Sequence, residues 1–217
     1  MSDPAGLVAW SYDITASVGC KTTERRTLNG VTKTIINQNN LAGSPAQLIY
    51  PSGRVIDYGY NTAGQATSAV DSANSTNYAL SASYSPHGAL SSLVLGQSAS
   101  FTGINFNLGY NNRLEPSTIR AWSTNGTALD FTYCFNVNMN LGTGDCGAAP
   151  VVNNGNVVQI KNNLTTDRTQ NFTYDALNRI QTAKTQATTG IYAWGLQFGY
   201  DPWANLLSAT VTQGSAP

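Results

Sequence analysis

The residues able to do chemistry are few. His87 is the single histidine, Cys20, Cys134 and Cys146 are the three cysteines, and the Asp and Glu residues number 11 in 217 positions. A Ser-His or Cys-His nucleophile would have to use His87, and nothing near it in sequence offers a third partner to orient the ring. His87 lies in the turn-forming string Tyr84-Ser85-Pro86-His87-Gly88, which gives it a structural or indifferent role. A zinc site would need the cysteines and His87 to converge, which their spacing does not suggest. Asp145 stands among several Asn residues, but one carboxylate falls short of a calcium ligand set. These residue types imply no enzyme, no metal and no cofactor.

The cysteines suggest structure instead. Cys134 and Cys146 bracket an eleven-residue loop and read as a disulfide that staples it in an oxidising compartment; the alternative is two free thiols in a reduced protein. By loop-closure entropy such a bond is worth on the order of 3 kcal/mol. Cys20 is then the odd one, buried as a small hydrophobe or free to pair elsewhere.

The elements that must position these groups are hairpins. In Asn171-Phe172-Thr173-Tyr174-Asp175-Ala176-Leu177-Asn178-Arg179-Ile180, Phe172 and Tyr174 share one face of a strand. Asp175 opens a turn by accepting backbone N–H groups, and Asn178 tolerates the left-handed conformation that closes it. Tyr60 to Gly64 and Tyr84 to Gly88 repeat this grammar with glycine at the end. Tyr12-Asp13 and Tyr200-Asp201 keep the opening pair but not the glycine, and Asn39 to Gly43 keeps the end without the tyrosine. Tyr110 to Leu114 reads as a shortened copy, and Asn153 to Val157, with Gly155, as a turn whose tyrosine, Tyr133, lies upstream of an insertion. Anchors at 39, 60, 84, 110, 133, 174 and 200 are spaced 21, 24, 26, 23, 41 and 26. A period in this range signals a repeat architecture.

The strings resemble the Rhs/YD-repeat family, whose signature is close to Tyr-Asp-x-x-Gly-Arg-Leu. The resemblance covers nearly the whole chain; the best matches are Tyr174 to Ile180, with Asn178 in the glycine place, and Tyr50 to Val55 leading into Tyr60 to Gly64. It implies an all-β array of antiparallel hairpins forming a curved or spiral sheet, part of a large hollow shell. The string Asp3-Pro4-Ala5-Gly6-Leu7 is similar to the Asp-Pro-x-Gly-Leu element at which larger Rhs proteins release a C-terminal toxin. In that family the element follows the repeats, so Asp3 and Asp201-Pro202 read as repeat turns and imply no autoprotease.

Composition agrees with strands and turns. Charged residues are 10% of the chain, the net charge is zero and hydrophobic residues are 41%. That leaves no electrostatic footprint for nucleic acid or an anionic membrane, and argues against a disordered chain. No apolar run approaches a membrane span. Asn29-Gly30 and Asn125-Gly126 are two-residue hairpin turns. The run Lys21 to Arg26 holds four charges and reads as a solvated strand edge or turn. In Phe101 to Tyr110 the alternation makes Thr102, Ile104, Phe106 and Leu108 the buried face. Trp10, Trp122, Trp194 and Trp203 could stack on sugar faces, but cross-strand packing is the plainer role. The sequons at Asn74, Asn125, Asn163 and Asn171 matter only in a eukaryotic secretory pathway.

One hairpin of about 20 residues costs ~20–40 kcal/mol in backbone entropy while a buried apolar side chain returns ~1.5–3 kcal/mol, so hairpins must stack. Residues 1–217 thus read as one repeat array with an insertion at 134–152, its ends cut inside a longer protein. Seven or eight repeats are too few to close a shell, so an open, curved sheet with edges left over is expected. The leading function is structural, a segment of a secreted or surface bacterial shell that encloses or presents a toxin. The alternatives are an extracellular module binding carbohydrate or protein, and a β-sheet filament subunit that self-associates through its edges.

Overall fold

A computed structural model describes residues 2–3, 6–13, 20–135, 146 and 152–215. Two compact units divide it, residues 1–106 and 107–217. The first contains β1 (Ser2–Asp3), β2 (Gly6–Asp13), β3 (Cys20–Leu28), β4 (Val31–Asn39), β5 (Pro45–Ile49), β6 (Val55–Tyr60), β7 (Ala66–Asp71), β8 (Thr76–Tyr84) and β9 (Leu90–Gln97). Strand β10 (Ile104–Tyr110) crosses the division. The second unit continues with β11 (Pro116–Ser123), β12 (Gly126–Cys134), β13 (Gln159–Asn162), β14 (Gln170–Tyr174), β15 (Ile180–Thr185), β16 (Trp194–Tyr200) and β17 (Leu206–Gly214).

Within each unit the strands form an antiparallel meander, each paired with the next along the chain. The protein is all-β, as the resemblance implies. Asn29 and Gly30 turn β3 into β4 with φ of 50° and 75°, the paired positive values of the tightest hairpin turn.

Few side chains are deeply buried. Among the described residues the buried apolar ones are Ile56 in the first unit and Cys134, Val158, Ala183, Ala187 and Ala193 in the second. With so thin an apolar core, cross-strand pairs and side-chain hydrogen bonds carry more of the load. Gln159 and Asn171, opposite each other in β13 and β14, are buried, and Gln159 Nε2 donates a hydrogen bond to Asn171 Oδ1 at 2.7 Å. Gln47 Nε2 likewise donates to Asp57 across β5 and β6 at 2.7 Å.

Some expectations change. The charged run Lys21 to Arg26 is not an edge: β3 is paired on both sides, with β2 and β4. Its charges are held instead by Glu24, which takes Lys21 at 2.9 Å and Arg26 at 2.6 Å. Ile104 is exposed while Phe106 and Leu108 are half-buried, because alternation fixes which residues share a face but not how far along the strand that face is covered. The turn after Asp13 and most of the 134–152 insertion, Asp145 included, lie outside the described residues.

Candidate functional site

The recurring turn is the best-defined local structure. Turns beginning at Asn40, Tyr50, Asn61, Ser85, Asn111, Asp175 and Asp201 share one backbone pattern. The first residue's N–H donates to the carbonyl four residues on, and the fourth residue's N–H donates back to the first carbonyl. The fourth residue is always left-handed. Gly43, Gly53, Gly64 and Gly88 take φ of 77–87°, and Leu114, Asn178 and Ala204 take 65°, 60° and 69°. Tyr110 to Leu114 is therefore no shortened copy; it is a full turn in which leucine holds the glycine place. Gly155 adopts φ 91° in the string after the insertion.

Short acceptors make the turn. Asn40, Asn61, Asn111, Asp175 and Asp201 each use Oδ1 to accept the N–H groups two and four residues ahead, at 2.8–3.1 Å. The residue four ahead reaches back with complementary chemistry. Where the first residue is Asn, its Nδ2 donates to an acceptor, Gln65 at 2.8 Å or Glu115 at 2.7 Å. Where it is Asp, the fifth residue is a donor, Arg179 at 2.6 Å or Asn205 at 2.8 Å. These bonds depress the carboxyl pKa values: Asp175 chiefly through the Arg179 backbone N–H, Asp201 through the Asn205 side chain, and Glu115 through Asn111. Their lone pairs are committed to the turn rather than to a substrate.

The tyrosines before the turns at Asn61, Ser85, Asp175 and Asp201 sit at β-bulges. Register shifts fall at Ser11/Tyr12, Gly59/Tyr60, Ser83/Tyr84, Thr173/Tyr174 and Gly199/Tyr200, and at Gln38/Asn39 where asparagine replaces tyrosine. A bulge re-aims the side chain that follows it. Here it sends the hydroxyl to the preceding hairpin: Tyr60 donates to Pro45 O at 2.7 Å, Tyr84 to Ala66 O at 2.6 Å, Tyr174 to Val157 O at 2.8 Å and Tyr200 to Ile180 O at 2.9 Å. Pro45, Ala66 and Ile180 each lie five residues past the start of the previous turn. The tyrosines are half-buried; burial raises the Tyr174 phenol pKa. They tie hairpin to hairpin through hydroxyls rather than through buried aromatic rows.

Sequence reasoning missed two parts of this unit. The residue before the tyrosine is Gly, Ser or Thr and faces a Ser or Thr nine positions on: Gly59 with Ser68, Ser83 with Ser92, Thr173 with Thr182 and Gly199 with Ser208. Any Cβ on Gly59 or Gly109 would collide with the hydroxyl of Ser68 or Thr118. The other part is a chain of contacts between turns of the second unit. Asn153 Nδ2 donates to Glu115 at 2.6 Å and Arg113 to Asn153 O at 2.6 Å. Asn156 Nδ2 donates to Asn178 Oδ1 at 2.9 Å, and Arg179 both donates to Asp201 O at 3.0 Å and lies 4.8 Å over the Tyr200 ring. Spaced Arg and Asn residues at turn positions were the available signal.

The remaining candidates scatter. His87 is exposed at its turn. Among the described residues no three of His, Cys, Asp and Glu gather as metal ligands. Cys134 and Cys146 are bonded, with Cα atoms 4.9 Å apart, and Val158 and Tyr174 pack against them. Cys20 is a free thiol, half-buried beside Gly43. Trp203 is 82% exposed at a turn, whereas Trp122 lies under Arg120. Asp13 keeps its strand place, but its side chain lies outside the described residues.

No protein family and no curated protein matches the sequence. Solved structures do. The chain is similar to a crystal structure of TcdB2-TccC3-Cdc42 (TM-score 0.69, 15% identity), over 97% of this chain and 11% of that one. It is similar over the same shares to TcdB2-TccC3 without its hypervariable C-terminal region (TM-score 0.68, 15% identity). A third, TcdB2-TccC3-TEV, matches at TM-score 0.61 and 14% identity over 90% of this chain and 11% of that one. The chain therefore has the fold of a short stretch of these toxin complexes, which is the fold that the Rhs/YD resemblance implies.

Proposed function

We propose that this chain is a structural segment of a longer Rhs/YD-repeat wall, non-enzymatic, in a secreted or surface-exposed bacterial protein that encloses or presents a toxic cargo. The observation that carries the reading is the repeated unit itself. Tyr60, Tyr84, Tyr174 and Tyr200 are each spent on the hairpin before them, and the capping carboxylates Asp175 and Asp201 on their own turns, an arrangement that builds wall. Alignment with toxin-complex structures over nearly the whole chain supports it, and the Cys134–Cys146 bond supports an oxidising location. On this reading residues 1–217 are one array, with 134–152 inserted into it.

The test is electron microscopy of the full-length protein that carries these residues. The reading expects the hairpins as consecutive strands of a wall around a lumen that holds a C-terminal domain. Free-standing hairpins with both edges in solvent would favour a recognition module, and strands paired between copies would favour a filament; either result overturns the wall.

A further inference from the structure

The turn at Tyr50 departs from the module and leaves a charged side chain over. At Tyr50–Arg54 the capping place is taken by tyrosine, which has no short acceptor, so Arg54 in the fifth place has no carboxylate to reach back to. The backbone still closes as elsewhere, with Gly53 at φ 84°. Both misfit residues line a cleft of about 280 Å³, together with Ile56, Tyr58, Ala69 and Tyr78. A local departure from a rule that its neighbours obey is where function is to be sought.

The chemistry of the cleft is specific. Ile56 is buried, and Ala69 faces Tyr58 on one side and Ala79 on the other, so a small side chain leaves the space that the tyrosines wall. Tyr50 and Tyr78 are substantially exposed. Tyr50, Tyr58 and Tyr78 all line the cleft, and burial raises the Tyr58 phenol pKa. Arg54 Nε stands 3.5 Å from Asp71 Oδ2. Asp71 is fully buried and already accepts the backbone N–H of Asn74 at 3.1 Å and its Nδ2 at 2.7 Å. It therefore anchors Arg54 without being offered to a ligand. The Arg54 side chain is half exposed beside this contact.

We propose that this cleft binds one acidic pyranose, a sugar ring bearing a carboxylate of the uronic-acid type. Tyrosine faces suit the apolar face of the ring, clustered phenols suit its hydroxyls, and a guanidinium pairs with a carboxylate in bidentate fashion. The volume lies just below the ~300–1,000 Å³ of ordinary ligand pockets, which fits one ring rather than a long oligomer. The site lies wholly within the first unit and stands or falls independently of the wall reading.

Titration calorimetry and saturation-transfer NMR on the 217-residue chain, with D-glucuronate and D-galacturonate against D-glucose and D-galactose, test it. The uronates should bind saturably, about tenfold or more tighter than the neutral sugars. Arg54→Gln should erase that difference, Tyr78→Ala should weaken every sugar, and Ala69→Leu, which fills the cleft, should abolish binding. Digalacturonate in a further arm separates a free sugar from a polymer end. No saturable binding of either uronate to the wild-type chain overturns the proposal. So does equal affinity for neutral sugars, or a folded Arg54→Gln variant that binds uronate unchanged.

Discussion

Leu114 holds a left-handed backbone at φ 65° with its side chain 55% exposed, so it carries strain with little burial in return. Replacing it by glycine removes a penalty of ~1–2 kcal/mol and adds roughly 0.5–1 kcal/mol of chain entropy to be lost on folding. Leu114→Gly should therefore raise stability by up to about 1.5 kcal/mol in urea unfolding, whereas Gly64→Ala, at φ 77°, should lower it. The capping carboxylates predict a pH effect. The folded pKa values of Asp175, Asp201 and Glu115 are lowered, and that of Glu24 is lowered to about 2. Their contribution is present above the ordinary carboxylate range of about 4 and is lost as pH falls below it. Asp175→Asn keeps a cap of the kind seen at Asn61 but has no such titration. Its urea midpoint should be lower at neutral pH, because Arg179 loses its carboxylate partner, and should fall less than that of the wild type between about pH 5 and pH 2. Capping by Asp and Asn was legible in the sequence because it is local. That Leu114 and Ala204 stand in the glycine place was not, since neither residue favours that conformation by itself.

At the scale of the element the hairpin unit depends on the bulge and on what lies beside it. Tyr174→Phe removes the hydroxyl that reaches Val157 O at 2.8 Å and should cost about 1 kcal/mol. Its companion Tyr200→Phe, which frees Ile180 O, should cost a similar amount. Gly109→Val drives a branched side chain into Thr118 and should cost about 1–3 kcal/mol by overpacking, read as a lower thermal midpoint. Most strands could be placed from alternation and turn residues, β3 and β4 around Asn29-Gly30 above all. Strand β7, Ala66–Asp71, escaped because Thr67, Ser68 and Ala69 lack the apolar alternation of a half-buried strand. Bulges escaped because they belong to the pairing of two strands and leave no mark on either one alone. The Gly, Ser or Thr before Tyr60, Tyr84, Tyr174 and Tyr200, with a Ser or Thr nine residues on, was the trace they did leave.

For the whole molecule the repeat was readable from the tyrosine spacing, and the fold is shared with toxin-complex structures at 15% identity. Even across the 41-residue gap the turn at Gly155 could be read, because its Asn and Gly residues mark a turn without help from the tyrosine. The Tyr50–Arg54 cleft was not legible. In sequence it looks like one of the best copies of the signature, and only the missing cap partner sets it apart. The array account holds that hairpins are tied to their neighbours in the same chain and leave no repeating contact between copies. Light scattering with electron microscopy on the purified chain, under oxidising and reducing conditions, tests this most directly. The account predicts a compact monomer in both conditions, less stable once the Cys134–Cys146 bond is reduced. Long polymers or closed multimers would contradict it and make the strand edges the working surface of the protein.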